Sequence, residues 1–157
     1  MAALSCPDKY KTLGQFALYY QGMEQAPILT VFIGGNHEAS NYLRDLYYGG
    51  FAAPNIYFLG SSGFVNVTKG NHTVTVGGIS GIEKEFDFQK GYFEEYPYVH
   101  NWKNIKSMYH IRAFEVLKTK LFQPDTATAG PDGLIKTQPV DIFVSHEWPT
   151  VVTSRVS

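Results

Sequence analysis

The stretch that most constrains the fold runs from Ile28 to Glu38 and reads ILTVFIGGNHE. Its first part, Ile28 to Ile33, is apolar and rich in β-branched and aromatic residues, which predicts a short strand buried on both faces. Two glycines then end the strand, since glycine reaches backbone conformations that other residues avoid. An amide, an imidazole and a carboxylate follow: Asn36, His37 and Glu38. Open α/β sheets place their binding and catalytic residues at such strand ends.

Asn36 and His37 carry side chains suited to metal-assisted acid–base chemistry. The amide oxygen of Asn36 is a neutral ligand for a divalent cation. His37 can donate a proton to a leaving group, because an imidazole titrates near neutral pH. The alternative is a structural role, in which Asn36 caps a helix that begins at Glu38 and His37 has no chemical function. These residues alone leave both interpretations open.

Composition restricts the class of protein. The 157 residues correspond to one domain at most, hydrophobic residues make up 44%, and the formal net charge of −1 gives no global basic field for nucleic acid. A single cysteine, Cys6, excludes an internal disulfide and is typical of a reducing compartment. We expect no membrane and no disulfide partner, because the chain has neither a long apolar run nor a signal-peptide core.

Hydrophobic periodicity and turn residues predict short elements along the first half of the chain. The expected order is a helix over 8–21, a helix over 38–46, a loop over 47–54, strands over 55–59 and 63–67, a turn over 69–71 and a return strand over 74–79. Further on, Ser107 is placed to cap a helix with one apolar face, formed by Ile111, Phe114, Leu117 and Leu121. Residues 123–139 are expected to form a flexible linker.

A second short strand, expected to be buried, runs from Asp141 to Val144 and is followed by His146. It matches the earlier strand, which delivers His37 at its own C-terminal end. Strand ends of this kind can converge in a sheet, so the pattern predicts a metal site containing both segments. The alternative is that each histidine is structural.

An aromatic segment without regular periodicity runs from Ser80 to Lys106. The stretch from Val99 to Lys120, which overlaps its end, is locally basic: Lys103, Lys106, Arg112, Lys118 and Lys120 oppose Glu115 alone. Aromatic rings beside cations suit stacking on unpaired bases with phosphate contacts. The alternative is a surface loop that packs its rings on the domain.

Several motifs together resemble one family. They read GGNHEASN, YGGFAAPNIYFLG, GGISGI, KGYFEEYPY, SMYHIR and DIFVSHEWP, and they span about Asp8 to Trp148. This set resembles the RNA lariat debranching family, a branch of the calcineurin-like metallophosphoesterases. The resemblance implies an α/β (α+β) fold, namely a sandwich of two mixed β-sheets flanked by helices. It also implies hydrolysis of the 2′–5′ phosphodiester at intron branch points, during mRNA processing in the nucleus.

The resemblance further implies roles for individual residues. Asn36 and His146 would be ligands in a two-metal site of Fe²⁺, Zn²⁺ or Mn²⁺, with His37 as the catalytic proton donor. Residues 80–112 would form a lariat recognition loop that binds branched (lariat) intron RNA. Its implied substrate-binding residues are Ser80, Tyr92, Trp102, Ser107, Tyr109, His110 and Arg112.

The chain also departs from the family pattern. It lacks the opening Cys-x-His motif, the Gly-Asp motif and the closing His-x-His-like motif. Glu147 stands where the family usually has Asp, and Tyr92 where the loop usually has His. We therefore expect residues 1–157 to be a metallophosphoesterase domain incomplete at both ends, and poorly soluble and inactive on its own. The alternatives are a non-catalytic remnant that at most binds branched RNA or a partner, and a different metallophosphoesterase.

Overall fold

The computed structural model describes residues 7–95, 102–122, 128–129, 135–136 and 140–148. The helices are α1 (Phe16–Tyr20), α2 (Ser40–Asp45), α3 (Glu85–Phe88), α4 (Trp102–Ser107) and α5 (Ala113–Leu121). The strands are β1 (Thr30–Phe32), β2 (Gly50–Ala53), β3 (Ile56–Phe58), β4 (Ser62–Lys69), β5 (His72–Ile79), β6 (Thr128–Ala129), β7 (Ile135–Lys136) and β8 (Ile142–Ser145). No described helix has the length and apolarity needed to cross a bilayer.

The strands form two mixed three-stranded sheets, which confirms the expected α/β class. The first has the order β1-β3-β2, with β1 parallel and β2 antiparallel to β3. The second has the order β4-β5-β8, with β4 antiparallel and β8 parallel to β5. Helix α5 packs on β4 and β5, and α2 lies against α4. A separate short pair, β6 and β7, lies within the predicted linker, and the rest of 123–139 is outside the described residues.

The hairpin of β4 and β5 is the part of the fold that local sequence determines best. The two strands pair without interruption from Ser62–Ile79 to Lys69–His72. Gly70 begins the two-residue turn with φ of +60°, a conformation that favours glycine. The predicted turn is therefore confirmed, and both strands extend beyond their predicted ends.

Two strands expected to be buried are instead largely exposed. Strand β1 covers only Thr30–Phe32, and Ile28 just before it is 75% exposed. In β8, Ile142 and Phe143 are each 50% exposed. The prediction of strands buried on both faces is wrong because β1 and β8 are edge strands among the described residues. Apolar composition alone does not distinguish an edge strand from a central one.

The two sheets meet at Gly78 on β5. A Cβ there would lie 2.8 Å from Cγ2 of Ile33, 2.9 Å from Cγ2 of Val144 and 3.0 Å from Cδ1 of Leu59. Only glycine permits this approach, because real Cβ atoms do not come so close to neighbouring side chains. The contact brings the end of β1, in one sheet, beside the end of β8, in the other.

The predicted helices differ from the observed ones more than the predicted hairpin does. The helix expected over 8–21 is a 3₁₀ turn at Asp8–Tyr10 followed by α1, and a strand, β2, lies in the expected loop over 47–54. Ser107 ends α4 and does not cap α5, whose N-cap residue is Arg112. The expected apolar face of α5 is turned outward, with Phe114 59% and Leu121 67% exposed.

Polar and charged side chains occupy much of the interior. The buried apolar residues are Ala26, Ala52, Ala53, Phe58, Leu59, Ile105 and Met108. The buried polar residues are Ser40, Ser62, Thr75, Asp87, Glu94, Ser107, His110, Arg112 and Glu115. Helix α5 turns Glu115 inward because this carboxylate accepts hydrogen bonds from Tyr47 and Ser62 and pairs with Lys118. The described core is therefore held by hydrogen bonds and ion pairs as much as by apolar packing.

Candidate functional site

The loop after β1 and the segment after β8 lie in contact. A Cβ on Gly35 would lie 2.4 Å from Cδ2 and 2.5 Å from Nε2 of His146, so the imidazole occupies the space of the missing side chain. Gly34 is also crowded, since its Cβ would lie 2.9 Å from Cδ1 of Leu43. The strand ends thus converge as the sequence predicts, although they belong to different sheets.

The glycine loop is held by hydrogen bonds to the segment after β5. The amide of Gly34 donates to Oγ of Ser80 at 3.1 Å, and that hydroxyl donates to the carbonyl of Gly60 at 2.6 Å. The amide of Gly81 donates to the carbonyl of Gly34 at 2.8 Å. Ser80 therefore positions the loop, and the structure gives its hydroxyl a structural use beside its expected contact with substrate.

Asn36 and His37 lie on the outer part of this loop. Asn36 is half-buried and His37 is exposed. The backbone amide of His37 donates to Oε2 of Glu38 at 3.1 Å. Helix α2 begins at Ser40, and its N-cap residue, Ala39, makes no side-chain capping bond. The capping role considered for Asn36 is therefore wrong, because α2 begins at Ser40 and not at Glu38.

A cleft of about 40 Å³ joins the glycine loop to the predicted recognition segment. Four of the expected substrate-binding residues line it: Ser80, Tyr92, Tyr109 and His110. His37 lies instead in a neighbouring groove of about 620 Å³, lined mainly by apolar and aromatic side chains of the N-terminal region. The loop therefore faces two cavities, with Glu38 shared between them.

The orientation of His110 is fixed by Asp87. The Nδ1 atom of His110 lies 2.7 Å from Oδ2 of Asp87, and both side chains are buried. Burial by itself raises the pKa of Asp87, but the hydrogen bonds from His110 and Lys90 and the charge of Arg112 outweigh it, so the pKa lies below its usual value. Since the carboxylate is ionised, it accepts a hydrogen bond from Nδ1 of His110, and this bond fixes the ring.

Arg112 and Ser107 lie behind the cleft, where they do not reach a ligand on its surface. Arg112 is 1% and Ser107 3% exposed. The guanidinium donates to Oε1 of Glu94 at 2.8 Å, to the carbonyl of Asp87 at 2.8 Å and to the carbonyl of Ser107 at 3.2 Å. The fold therefore uses the polar groups of Arg112 to hold this region together, and the substrate contact expected of Arg112 and Ser107 stays a prediction. The side chain of Trp102 lies outside the described part of the chain.

Tyr92 is the cleft residue with the most developed surroundings. Its ring packs edge-on against Tyr47, with centroids 5.6 Å apart, and the guanidinium carbon of Arg44 lies 3.8 Å from its centroid. Burial, and next the nearby charge of Glu115, raise the pKa of Tyr92 to about 12, so the phenol is neutral at physiological pH. Sequence reasoning missed Arg44 and Tyr47; their spacing of three residues near the end of a helix was the available signal.

A divalent metal would find only part of its ligand set among these residues. Asn36 and His146 are neutral donors that suit a borderline cation. Across residues 7–95, 102–122 and 140–148, no group of three His, Cys, Asp or Glu side chains is placed to hold a metal. Two neutral donors do not balance the charge of the ion, so the described residues alone do not fit the expected two-metal site.

Comparison with known proteins identifies close relatives. No protein-family model matches the chain. It is 48% identical over 146 residues, or 93% of its length, to the lariat debranching enzyme of Schizosaccharomyces pombe. It is 46% identical over 149 residues to the human lariat debranching enzyme and 48% identical over 153 residues to that of Arabidopsis thaliana. The chain spans 27%, 24% and 32% of the lengths of these three curated relatives.

Proposed function

Because the chain is similar to a segment of lariat debranching enzymes over more than nine-tenths of its length, we propose that it contributes to lariat debranching. The reaction is the hydrolysis of the 2′–5′ phosphodiester at the branch point of an excised intron. The substrate is branched RNA, and the proposal places the activity in mRNA processing and intron turnover in the nucleus.

The contact of His146 with Gly35 is the observation that carries this proposal. A strand-end histidine and a strand-end Gly-Gly-Asn-His loop come together from two sheets, and the loop offers no capping function for Asn36. The same loop is hydrogen-bonded to Ser80 and Gly81, at the start of the segment proposed to recognise the branch. The proposed catalytic loop and the proposed recognition segment would therefore be held together by these hydrogen bonds.

The residues of the loop have distinct proposed roles. His37 protonates the 2′ oxygen as it leaves, a role that an exposed imidazole can fill near neutral pH. Asn36 and His146 would hold one of two divalent ions, Fe²⁺, Zn²⁺ or Mn²⁺, in a complete enzyme such as a chimera, because the described residues alone do not form the full ligand set. Such ions supply charge stabilisation at the phosphate. Tyr92, Tyr109 and His110 would contact the RNA from the cleft wall.

A chimeric enzyme tests this proposal. The segment of the Schizosaccharomyces pombe enzyme that matches this chain would be replaced by the present sequence, and cleavage of a branched oligoribonucleotide measured. We expect the chimera to retain debranching, because 48% of the exchanged residues are identical. Within the chimera, His72→Ala is the matched control for substitution of His37. His72 is exposed at the hairpin turn and does not line the cleft.

The outcome separates function from folding. A folded chimera that cleaves a small phosphodiester but not the branched RNA would contradict debranching and favour another phosphoesterase. A folded chimera that cleaves neither substrate would contradict the catalytic roles of these residues altogether.

A further inference from the structure

A second cleft, between α2 and α5, shares Arg44 and Tyr92 with the first cleft and is not used by the proposed chemistry. It has a volume of about 460 Å³, within the range of small-ligand sites. Cations and exposed aromatic rings line it, including Arg44, Lys90, Arg112, Tyr48 and Phe114. No described carboxylate contributes to its lining. Cations beside aromatic rings are the combination that binds nucleotides of a single strand.

The three cations of this cleft differ in how their charge is balanced. Lys90 pairs with Asp87 at 2.9 Å, and Arg112 pairs with Glu94 at 2.8 Å. Arg44 forms no ion pair with any described residue, and its Nη1 is buried without a hydrogen-bond partner. A buried guanidinium donor without a partner is costly, so this group is poised for an external acceptor.

Two aromatic rings contact the Arg44 guanidinium. Its Cζ lies 3.8 Å from the ring centroid of Tyr92 and 4.7 Å from that of Tyr47. Such cation–π contacts do not use up the N–H donors of a guanidinium, and paired donors of this group match the oxygens of a phosphate. The two rings restrain the Arg44 side chain beside the cleft, which lowers the side-chain entropy that binding a phosphodiester would cost.

The rim of the cleft supplies a surface for a base. Tyr48 is 89% exposed and packs edge-on against Tyr47, with centroids 4.8 Å apart. Phe114, at the start of α5, is 59% exposed. Exposed rings next to a phosphate-binding group suit stacking on unpaired bases, which any sequence can provide.

We propose that the cleft between α2 and α5 binds a nucleotide of single-stranded RNA, with Arg44 holding a phosphate and Tyr48 stacking on a base. This inference rests on the proposed function, since it adds a binding site for the RNA that carries the branch. It assigns recognition to residues outside 80–112, and it makes Tyr92 a support for Arg44 as well as a wall of the first cleft.

The test measures binding of a fluorescent linear oligoribonucleotide to the folded chimera described above, over a range of salt concentrations. Arg44→Gln should weaken binding about tenfold and reduce the slope of log K against log salt by about 0.7, the value for one phosphate contact on a single strand. Tyr48→Ala should weaken binding about fivefold or more with the slope unchanged. Lys120→Gln, which removes an exposed cation of α5 outside the cleft, is the charge-matched control and should leave the slope unchanged.

Each other outcome overturns the proposal. If the folded chimera without substitutions does not bind the oligoribonucleotide, or if Arg44→Gln and Lys120→Gln behave alike, the cleft is not an RNA site. If inorganic phosphate displaces the RNA and Tyr48→Ala has no effect, the cleft holds an anion only. Because linear RNA has no branch to cleave, this result is independent of debranching by the chimera, and either proposal can fail while the other stands. Tyr48 is exposed, so its variant also separates binding from any loss of folding in Arg44→Gln.

Discussion

Replacing Arg112 by methionine should cost a large share of the stability of the protein. Arg112 is 1% exposed, and the Glu94 side chain to which its Nη2 donates is 0% exposed. The variant keeps the volume of the side chain but leaves the Glu94 carboxylate buried without its partner. Breaking a buried ion pair in this way typically costs about 3–5 kcal/mol, out of about 5–15 kcal/mol for a whole domain.

The free energy of unfolding, from urea denaturation followed by circular dichroism, measures this effect. The informative comparison is the double variant Arg112→Met, Glu94→Leu, which removes both charges. We expect it to recover much of the loss, because an ion pair replaced by apolar residues of similar volume is often nearly neutral. Recovery should be incomplete, since Arg112 also donates to the carbonyls of Asp87 and Ser107.

Two results would refute this reasoning. One is a cost below about 1 kcal/mol for Arg112→Met, the range typical of exposed ion pairs. The other is a double variant no more stable than the single one, which would mean that Glu94 does not depend on Arg112. Lys120→Met is the matched control, since Lys120 is an exposed cation of the same helix, and should stay within about 0.5 kcal/mol of wild type.

Three further predictions concern the site and its support. In the chimera, His37→Ala should lower turnover about 10²–10⁴-fold and retain the metal content. Asn36→Ala and His146→Ala should instead lose metal, which mass spectrometry measures. Loss of metal in His37→Ala but not in Asn36→Ala would mean that the two roles are exchanged. Gly35→Ala should displace His146, whose Cδ2 would lie 2.4 Å from the new Cβ, and should lower metal affinity about 10–100-fold. An unchanged metal affinity would argue against the contact between Gly35 and His146. The pKa of Asp87 is lowered in the folded state, so its contribution to stability is present above the unfolded pKa and is lost as pH falls through the folded one. The gap in unfolding free energy between wild type and Asp87→Asn should therefore narrow as pH falls from about 6 to about 3, and a constant gap would contradict the assigned pKa direction.

The sequence by itself determined the elements whose causes are local. The hairpin follows from alternating strands around a glycine turn, and Gly70 has the positive φ that the turn needs. The break after β1 follows from two adjacent glycines, and the start of β8 from a short apolar run. The motifs that indicated resemblance to the lariat debranching family are also local stretches of sequence. Comparison with curated lariat debranching enzymes supports that resemblance.

Only the tertiary structure decided which faces are buried and which charges are paired. Periodicity favoured Phe114 and Leu121 as the inward face of α5, yet Glu115 and the preceding Arg112 point inward. Their partners lie far along the chain, Glu94 at a separation of 18 residues and Tyr47 at 68. A pattern confined to one helix contains no information about such partners.

The convergence at the candidate site likewise depends on packing between sheets. The sequence placed an imidazole after each of two strands, but His146 reaches Gly35 only because Gly78 allows the sheets to approach. Arg44 likewise contacts Tyr92, at a separation of 48 residues along the chain. Local sequence therefore supplied the chemical groups, and the close contact of the two sheets decided which groups lie together, because side-chain contacts between distant segments depend on the fold of the whole chain.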